Sequence, residues 1–319
     1  MNHKRVHDLI KKSKRILISA HVNPDLDAIC SELAMFQYLR SLKKEVFVIH
    51  EKPVALMYHF LAGIKQIKGS VPCRLDYDLL IVLDCGELNR IGEVQKILLK
   101  GKPIINIDHH LTNQYFGSVN IVCPNTSSTA EVIFEMFKAW KVKITKKMAQ
   151  YLYVGILTDT GSFRYQNTTP RTHEVVAELL RAGFSQSCFY RLAYEDIEIK
   201  GFEALLRAVN GAKYFKGGRV VCVFLSRKIQ REIAEKFDLK DKIFYILRMI
   251  RNVEVIIIFS EVAPSKTRIN FRSTGMINVA AIAEFYHGGG HRAASGCVLD
   301  TNIHIAQKKI LPQILKKIT

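Results

Sequence analysis

Four stretches of this 319-residue chain carry side chains able to hold metal ions or move protons. They are His21-Val22-Asn23-Pro24-Asp25-Leu26-Asp27-Ala28, then Asp84-Cys85-Gly86, then Asp108-His109-His110, and finally Thr158-Asp159-Thr160-Gly161. Their candidate donors are carboxylates and imidazoles without thiolates, a set that favours Mn²⁺ or Mg²⁺, with Co²⁺ able to substitute. Two such ions about 3.5–4 Å apart lower the pKa of a water and neutralise charge building on substrate oxygens, so the chemistry that fits is metal-assisted hydrolysis, that of phosphodiesters included. Asp25 and Asp27 are two apart, and in an extended loop their side chains point to different sides. That spacing suits two neighbouring ions better than one. An Asp here can equally do no more than cap the helix that follows. Taken alone, Asp159 reads equally well as a solvated loop carboxylate.

The elements that must position these groups are buried strands. Apolar runs at Ile16 to Ala20, Asp78 to Leu83 and Pro103 to Ile107 end directly before the first three stretches, and Glu45 to His50 adds another strand. Parallel strands joined by right-handed crossovers share their carboxyl ends on one edge, which is where open α/β sheets bind ligands. Convergence of the three termini is therefore expected. Asp84, at a strand end between the other groups, is the natural bridging ligand. His109 and His110 are neighbours whose side chains should diverge, so they should not share an ion. Helices are expected over about Ala28 to Arg40, Ala130 to Trp140 behind the hydroxyl cap Ser127-Ser128-Thr129, Lys146 to Leu157, and Thr172 to Arg181, closed by Gly183.

From Phe184 to Ala212 the pattern is helical and charged, as in a linker. A second domain then opens at Gly217-Gly218. It alternates a strand (Arg219 to Leu225), helices (Lys228 to Phe237 and Lys242 to Ile250), and two strands (Val253 to Ser260 and Thr267 to Ser273). The last strand places Arg268, Asn270 and Arg272 on one face, either a ligand surface or a solvent-facing side. A helix, Ile277 to Phe285, leads to Gly288-Gly289-Gly290-His291-Arg292. Glycines there allow backbone N–H groups to crowd around an anion, and a following helix start would add its dipole. The tail, Ile303 to Ile318, reads as a basic amphipathic helix.

Composition bounds the rest. The length suits two domains, and no apolar run approaches the roughly 20 residues of a membrane helix. Seven cysteines, without a C-x-x-C pair and without a visible export signal, fit reduced thiols and a cytoplasmic protein. The net charge is +18, and from Lys213 onward there are 19 Lys and Arg against 8 Asp and Glu. That balance suggests a polyanionic substrate, nucleic acid first, or a basic bias of the whole proteome.

In their order, His21, Asp25 and Asp27, then Asp84, then Asp108-His109-His110, then Asp159 resemble the four motifs of the DHH phosphoesterase superfamily. The run from Gly288 to Gly296 resembles the signature of its associated DHHA1 domain. Size and layout are similar to the nano-RNase and oligoribonuclease group, which also dephosphorylates 3′-phosphoadenosine 5′-phosphate. The resemblance implies an α/β fold: an N-terminal DHH domain (1–184) with a mainly parallel sheet flanked by helices, a helical linker (185–212) and a smaller α/β DHHA1 domain (213–319). It implies two Mn²⁺ ions, with His21, Asp25 and Asp84 at the first site and Asp27, His109 and Asp159, sharing Asp84, at the second. His110 would contact phosphate or protonate the leaving oxygen, and Asp108 would orient an imidazole.

Arg90 could reach substrate or lie idle at the surface. In the second domain Arg268, Asn270, Arg272 and Ser273 on one strand face, with Gly289, Gly290, His291 and Arg292, would hold the nucleotide, and a small anion-binding domain limits substrate length. The expected partners are short RNA oligonucleotides and nucleotides, with a homodimer left open and no membrane. The alternatives are a cyclic-dinucleotide phosphodiesterase, a RecJ-like single-strand exonuclease and, from another class, a non-catalytic nucleic-acid-binding module.

Overall fold

The computed structural model describes residues 3–233 and 238–318. The chain divides into two compact units, Met1–Glu195 and Asp196–Thr319. In the first, α1 (His3–Lys12) precedes β1 (Arg15–Ser19), α2 (Leu26–Ser41), β2 (Glu45–Ile49), β3 (Ile67–Lys68), β4 (Leu79–Leu83), β5 (Ile104–Asp108) and β6 (Val119–Val122). Then come α3 (Thr129–Ala139), α4 (Lys146–Asp159), α5 (Pro170–Leu180) and α6 (Gln186–Tyr194).

The strands run parallel in the order β3-β2-β1-β4-β5-β6. Strand order reverses between β1 and β4, so a crevice opens at their carboxyl ends. The continuous apolar runs of the sequence are explained by burial on both faces. Ile16, Ile18, Ile81 and Ile107 point into the core shared with α2, α3 and α4, whereas Leu17, Leu80 and Val82 pack against Ile91, Val94 and Ile97 of the Leu88–Ile97 segment. Asp78 fixes the register at the strand starts by accepting hydrogen bonds from the backbone N–H groups of Lys14 (2.9 Å) and Arg15 (2.8 Å).

The second unit contains α7 (Ile199–Asn210), β7 (Lys213–Phe215), β8 (Val220–Leu225), α8 (Arg227–Ile233), α9 (Leu239–Leu247), β9 (Val255–Ala263), β10 (Lys266–Ser273), α10 (Val279–Phe285), β11 (Gly289–His291), β12 (Ala294–Leu299) and α11 (Ile303–Leu315). Its sheet, β11-β12-β10-β9-β8-β7, is antiparallel except between β8 and β9. One face packs on α7 and α9, the other on α10 and α11.

Some expectations change here. No helix follows the glycine run: Gly289 and Gly290 lie in the edge strand of a hairpin, because Ser295, Cys297 and Leu299 alternate inward as a strand. The helix expected over Lys228 to Phe237 begins at Arg227, and its last four positions lie outside the described residues. Residues 185–212 form two helices. Tyr190 and Tyr194 of α6 pack on the first unit's core, and Ala204, Leu205 and Ala208 of α7 belong to a core of the second.

Candidate metal centre

Each segment that carries candidate donors sits where a regular element starts or stops. Asp25 is the N-cap of α2, its Oδ1 accepting from the backbone N–H groups of Asp27 (3.0 Å) and Ala28 (3.1 Å). The carboxylate that caps the helix is thus also one of the candidate donors. Asp84 follows β4 with φ 53°, a left-handed conformation that Asp adopts more readily than most residues with a Cβ. Its N–H donates to Ile107 O at 3.0 Å.

Asp108 is the last residue of β5, and Asp159 is the last residue of α4 rather than part of the loop beyond. Gly155 lies one turn before Asp159 and faces α2 and α3. A Cβ built there would fall 2.8 Å from Asp27 Oδ1 and 2.7 Å from Ala130 Cβ. Only glycine lets α4 approach closely enough to deliver Asp159.

The side chains converge in three sets whose donor atoms lie within 4.8 Å of one another: His21, Asp25 and Asp84; Asp27, His109 and Asp159; Asp84, His109 and His110. Asp84 is common to two of them. Its Oδ2 lies 3.6 Å from His21 Nε2, and its Oδ1 lies 3.7 Å from both His109 Nε2 and His110 Nδ1. His109 Nε2 is also 3.5 Å from Asp159 Oδ2. The neighbouring imidazoles diverge less than strand alternation suggests, with ring centroids 4.8 Å apart, because β5 ends before them. They differ instead in their partners: His110 Nδ1 is held by Asp108 Oδ1 at 2.7 Å.

The electrostatics describe a site crowded with negative charge. Burial and the charges of Asp84, Asp159 and Asp25 push the Asp27 carboxyl well above the usual range. Burial, Asp25 and Asp84 do the same to Asp159. Burial would also raise Asp84, but hydrogen bonding to His21 and the nearby imidazoles of His110 and His109 hold it low. Burial favours the neutral form of His110, yet its bond to Asp108 and the charges of Asp84 and Asp159 raise its pKa to about 9. His21 is raised despite its burial by Asp84 and Asp25. Oxygen and nitrogen donors around carboxylates that repel one another fit a pair of divalent cations, which would relieve that repulsion.

Three groups were not foreseen. Thr129 donates from Oγ1 to Asp84 Oδ1 (2.9 Å), Asn113 Nδ2 to Asp108 Oδ2 (2.6 Å) and Asn106 Oδ1 (2.8 Å), and Asn167 Nδ2 to Asp159 O (3.1 Å). As uncharged residues in loops and at helix starts, they carry no spacing signal. The only cue was the run of hydroxyls before α3.

Arg90 is exposed, and its carbonyl accepts from Val22 N at 2.7 Å, so its backbone is tied to the His21 loop. Within the second unit, Arg268, Asn270 and Arg272 share the less buried side of β10. Arg272 rests on the Phe244 ring, 4.8 Å from its centroid, and Asn270 Oδ1 is buried with no hydrogen-bond partner among the described residues. Ser273 corrects the expectation of a four-residue face. It points to the buried side, where its hydroxyl donates to Ile277 O at 2.8 Å.

Arg292 Nε donates to Gly275 O at 3.0 Å. Gly290, at φ 135°, lies where a Cβ would meet Ala294 O at 2.6 Å, whereas a Cβ at Gly289 would meet nothing among the described residues within 4 Å. The side chain of His291 lies outside the described residues.

The model of the DHH family, N-terminal domain, matches residues 15–156, and that of the DHHA1 domain matches residues 219–319. A bifunctional oligoribonuclease and PAP phosphatase NrnA from Thermus thermophilus is 30% identical over 308 residues, covering 95% of this chain and 90% of its own. The crystal structure of an exopolyphosphatase-related protein from Bacteroides fragilis superposes with a TM-score of 0.89 at 26% identity, covering 99% of this chain and 96% of that one. RecJ from Thermus thermophilus, in complex with Mn²⁺, shares the fold at a TM-score of 0.55 and 12% identity, over 99% of this chain and 53% of its own.

Proposed function

The chain belongs to the DHH family, and on that premise we propose that it is a metal-dependent phosphoesterase that hydrolyses short oligoribonucleotides, linear dinucleotides among them, to mononucleotides, and 3′-phosphoadenosine 5′-phosphate to AMP. The observation that carries the reading is Asp84, whose two oxygens face different ligand sets. His21 and Asp25 would hold one ion and Asp27, His109 and Asp159 the other, with Asp84 shared. Bound Mn²⁺ would supply an activated water near neutral pH and neutralise the phosphoryl oxygens.

The chain's own groups do the rest. Asp108 fixes Nδ1 of His110, which leaves Nε2 to carry a proton. As the water oxygen bonds to phosphorus and the ester P–O bond breaks, that proton passes to the departing oxygen. Arg90, in the first unit, and Arg268, Asn270, Arg272 and Arg292, on the basic second unit, are assigned to the nucleotide. Residues 1–184 are assigned to catalysis and 213–319 to substrate. All seven cysteines are free, which supports a reducing, cytoplasmic setting.

A time course with Mn²⁺ tests the reading on three substrates: a 5′-phosphorylated RNA dinucleotide, a single strand of about twenty nucleotides and 3′-phosphoadenosine 5′-phosphate. Fast release of mononucleotides from the dinucleotide, with slow attack on the long strand, is expected, and Asp84→Asn should abolish it. Preference for the long strand would make the protein a RecJ-like exonuclease. Inertness toward all three would remove the proposed substrates.

A further inference from the structure

The first turn of α3 is aimed at the metal centre. Thr129 N–H donates to Asp27 Oδ2 at 2.7 Å, and Ala130 N–H donates to Asp27 Oδ1 at 3.0 Å. The Thr129 hydroxyl donates to Asp84 Oδ1 at 2.9 Å. Two consecutive residues thus engage both oxygens of one carboxylate and one oxygen of another, and Thr129, Asp27 and Asp84 are all buried. A helix N-terminus also presents partial positive charge to those anions.

Capping of the helix does not explain the hydroxyl. Ser128 is the N-cap, its side chain accepting from Glu131 N–H at 3.1 Å. The Thr129 hydroxyl is directed across to a different element, the turn after β4. With Oδ1 of Asp84 restrained, the carboxylate cannot rotate without breaking that bond, and its Oδ2 stays on the His21 side while Oδ1 stays on the His109 side.

We infer that Thr129 is a positioning residue for both ions, its hydroxyl setting the orientation in which Asp84 bridges the two ligand sets. The inference rests on the metal-dependent reading above. It concerns affinity for the cations rather than the chemistry of the ester. Groups that orient metal ligands typically change affinity by about 10–100-fold when removed.

The test is calorimetric titration of Mn²⁺ into the metal-stripped full chain. Thr129→Val, which keeps the shape and loses the hydroxyl, should bind Mn²⁺ about 10–100-fold more weakly, and Thr129→Ser should bind close to wild type. Ser128→Ala serves as the contrast: it should lower Tm through the lost cap and leave the affinity unchanged. Should Thr129→Val not fold, Thr129→Ala against Thr129→Ser isolates the same hydroxyl.

Equal affinities of the hydroxyl-bearing and hydroxyl-lacking variants would overturn the positioning role while leaving the metal-dependent reading intact. A wild type that binds no Mn²⁺ would overturn that reading and this inference with it.

Discussion

His110 shows how one residue's protonation is set by its neighbours. Its hydrogen bond to Asp108, with the charge of Asp84 close by, carries its pKa to about 9 against the pull of burial. A raised pKa in an imidazole means that the stabilisation is fully present below the unfolded value and is lost as pH rises through the folded one. In Asp108→Asn the charged acceptor is gone, and the His110 pKa should fall toward the ordinary value near 6.5. Titration of the His110 ring by NMR in metal-stripped protein measures this directly. An unmoved pKa would deny Asp108 its role.

The residues of the three donor sets were legible because histidines and aspartates at the ends of elements are conspicuous. Thr129, Asn113 and Asn167 were not, since their significance lies in where hydrogen bonds between separate segments happen to point. Ser273 was misread for a related reason: alternation alone assigns it to the face opposite Arg272, but the attraction of a polar cluster overrode the period.

At the level of elements, the helix pair α2 and α4 is decisive. Glycine inside a helix is unfavourable by roughly 1 kcal/mol relative to alanine, so Gly155 weakens α4 in isolation. The close approach it permits to Asp27 and Ala130 offsets that weakness. Gly155→Val should push the helices apart, destabilise the fold by about 1–3 kcal/mol and draw Asp159 away from His109. Chemical denaturation reads the first effect and Mn²⁺ titration the second. A variant as stable as wild type would mean that α4 has room to shift.

The central strands were readable because burial on both faces leaves unbroken apolar runs. β3 has two residues and β6 only four, too short for a periodic signal to rise above the surrounding loop. The β11–β12 hairpin was masked by its glycines, which suggested an anion loop when the alternation from Ala294 to Leu299 already described a strand.

For the whole molecule, the crowded carboxylates link stability to pH and to metal. Asp27 and Asp159 have raised pKa values in the folded protein, so the folded state binds more protons than the unfolded one over the interval above the unfolded carboxylate range. Stability of the metal-stripped protein therefore falls as pH rises through that interval. Added Mn²⁺ should reverse the fall, by about 2.7 kcal/mol at a hundred times its Kd. Thermal melts across pH, with chelator and with Mn²⁺, give the comparison. A chelated protein whose Tm rises steadily from the top of the unfolded carboxylate range to neutral pH would contradict the charge balance described here. The net charge of +18 was legible from composition, and so was the two-part organisation. The convergence of the strand ends was legible too, since parallel strands share one carboxyl edge; the hydrogen bonds that orient the donors there were not.

Both sheets taper at their borders. The outermost strands have two (β3), four (β6), three (β7) and three (β11) residues, while β9 inside the second sheet has nine. A long bare border would offer unpaired amide and carbonyl groups as a template for a neighbouring polypeptide, the usual beginning of amyloid-like aggregation. Here an approaching strand finds too little exposed ladder to extend. Edge-on stacking of native molecules is thereby disfavoured, and unfolded chains are the expected starting point of any precipitate.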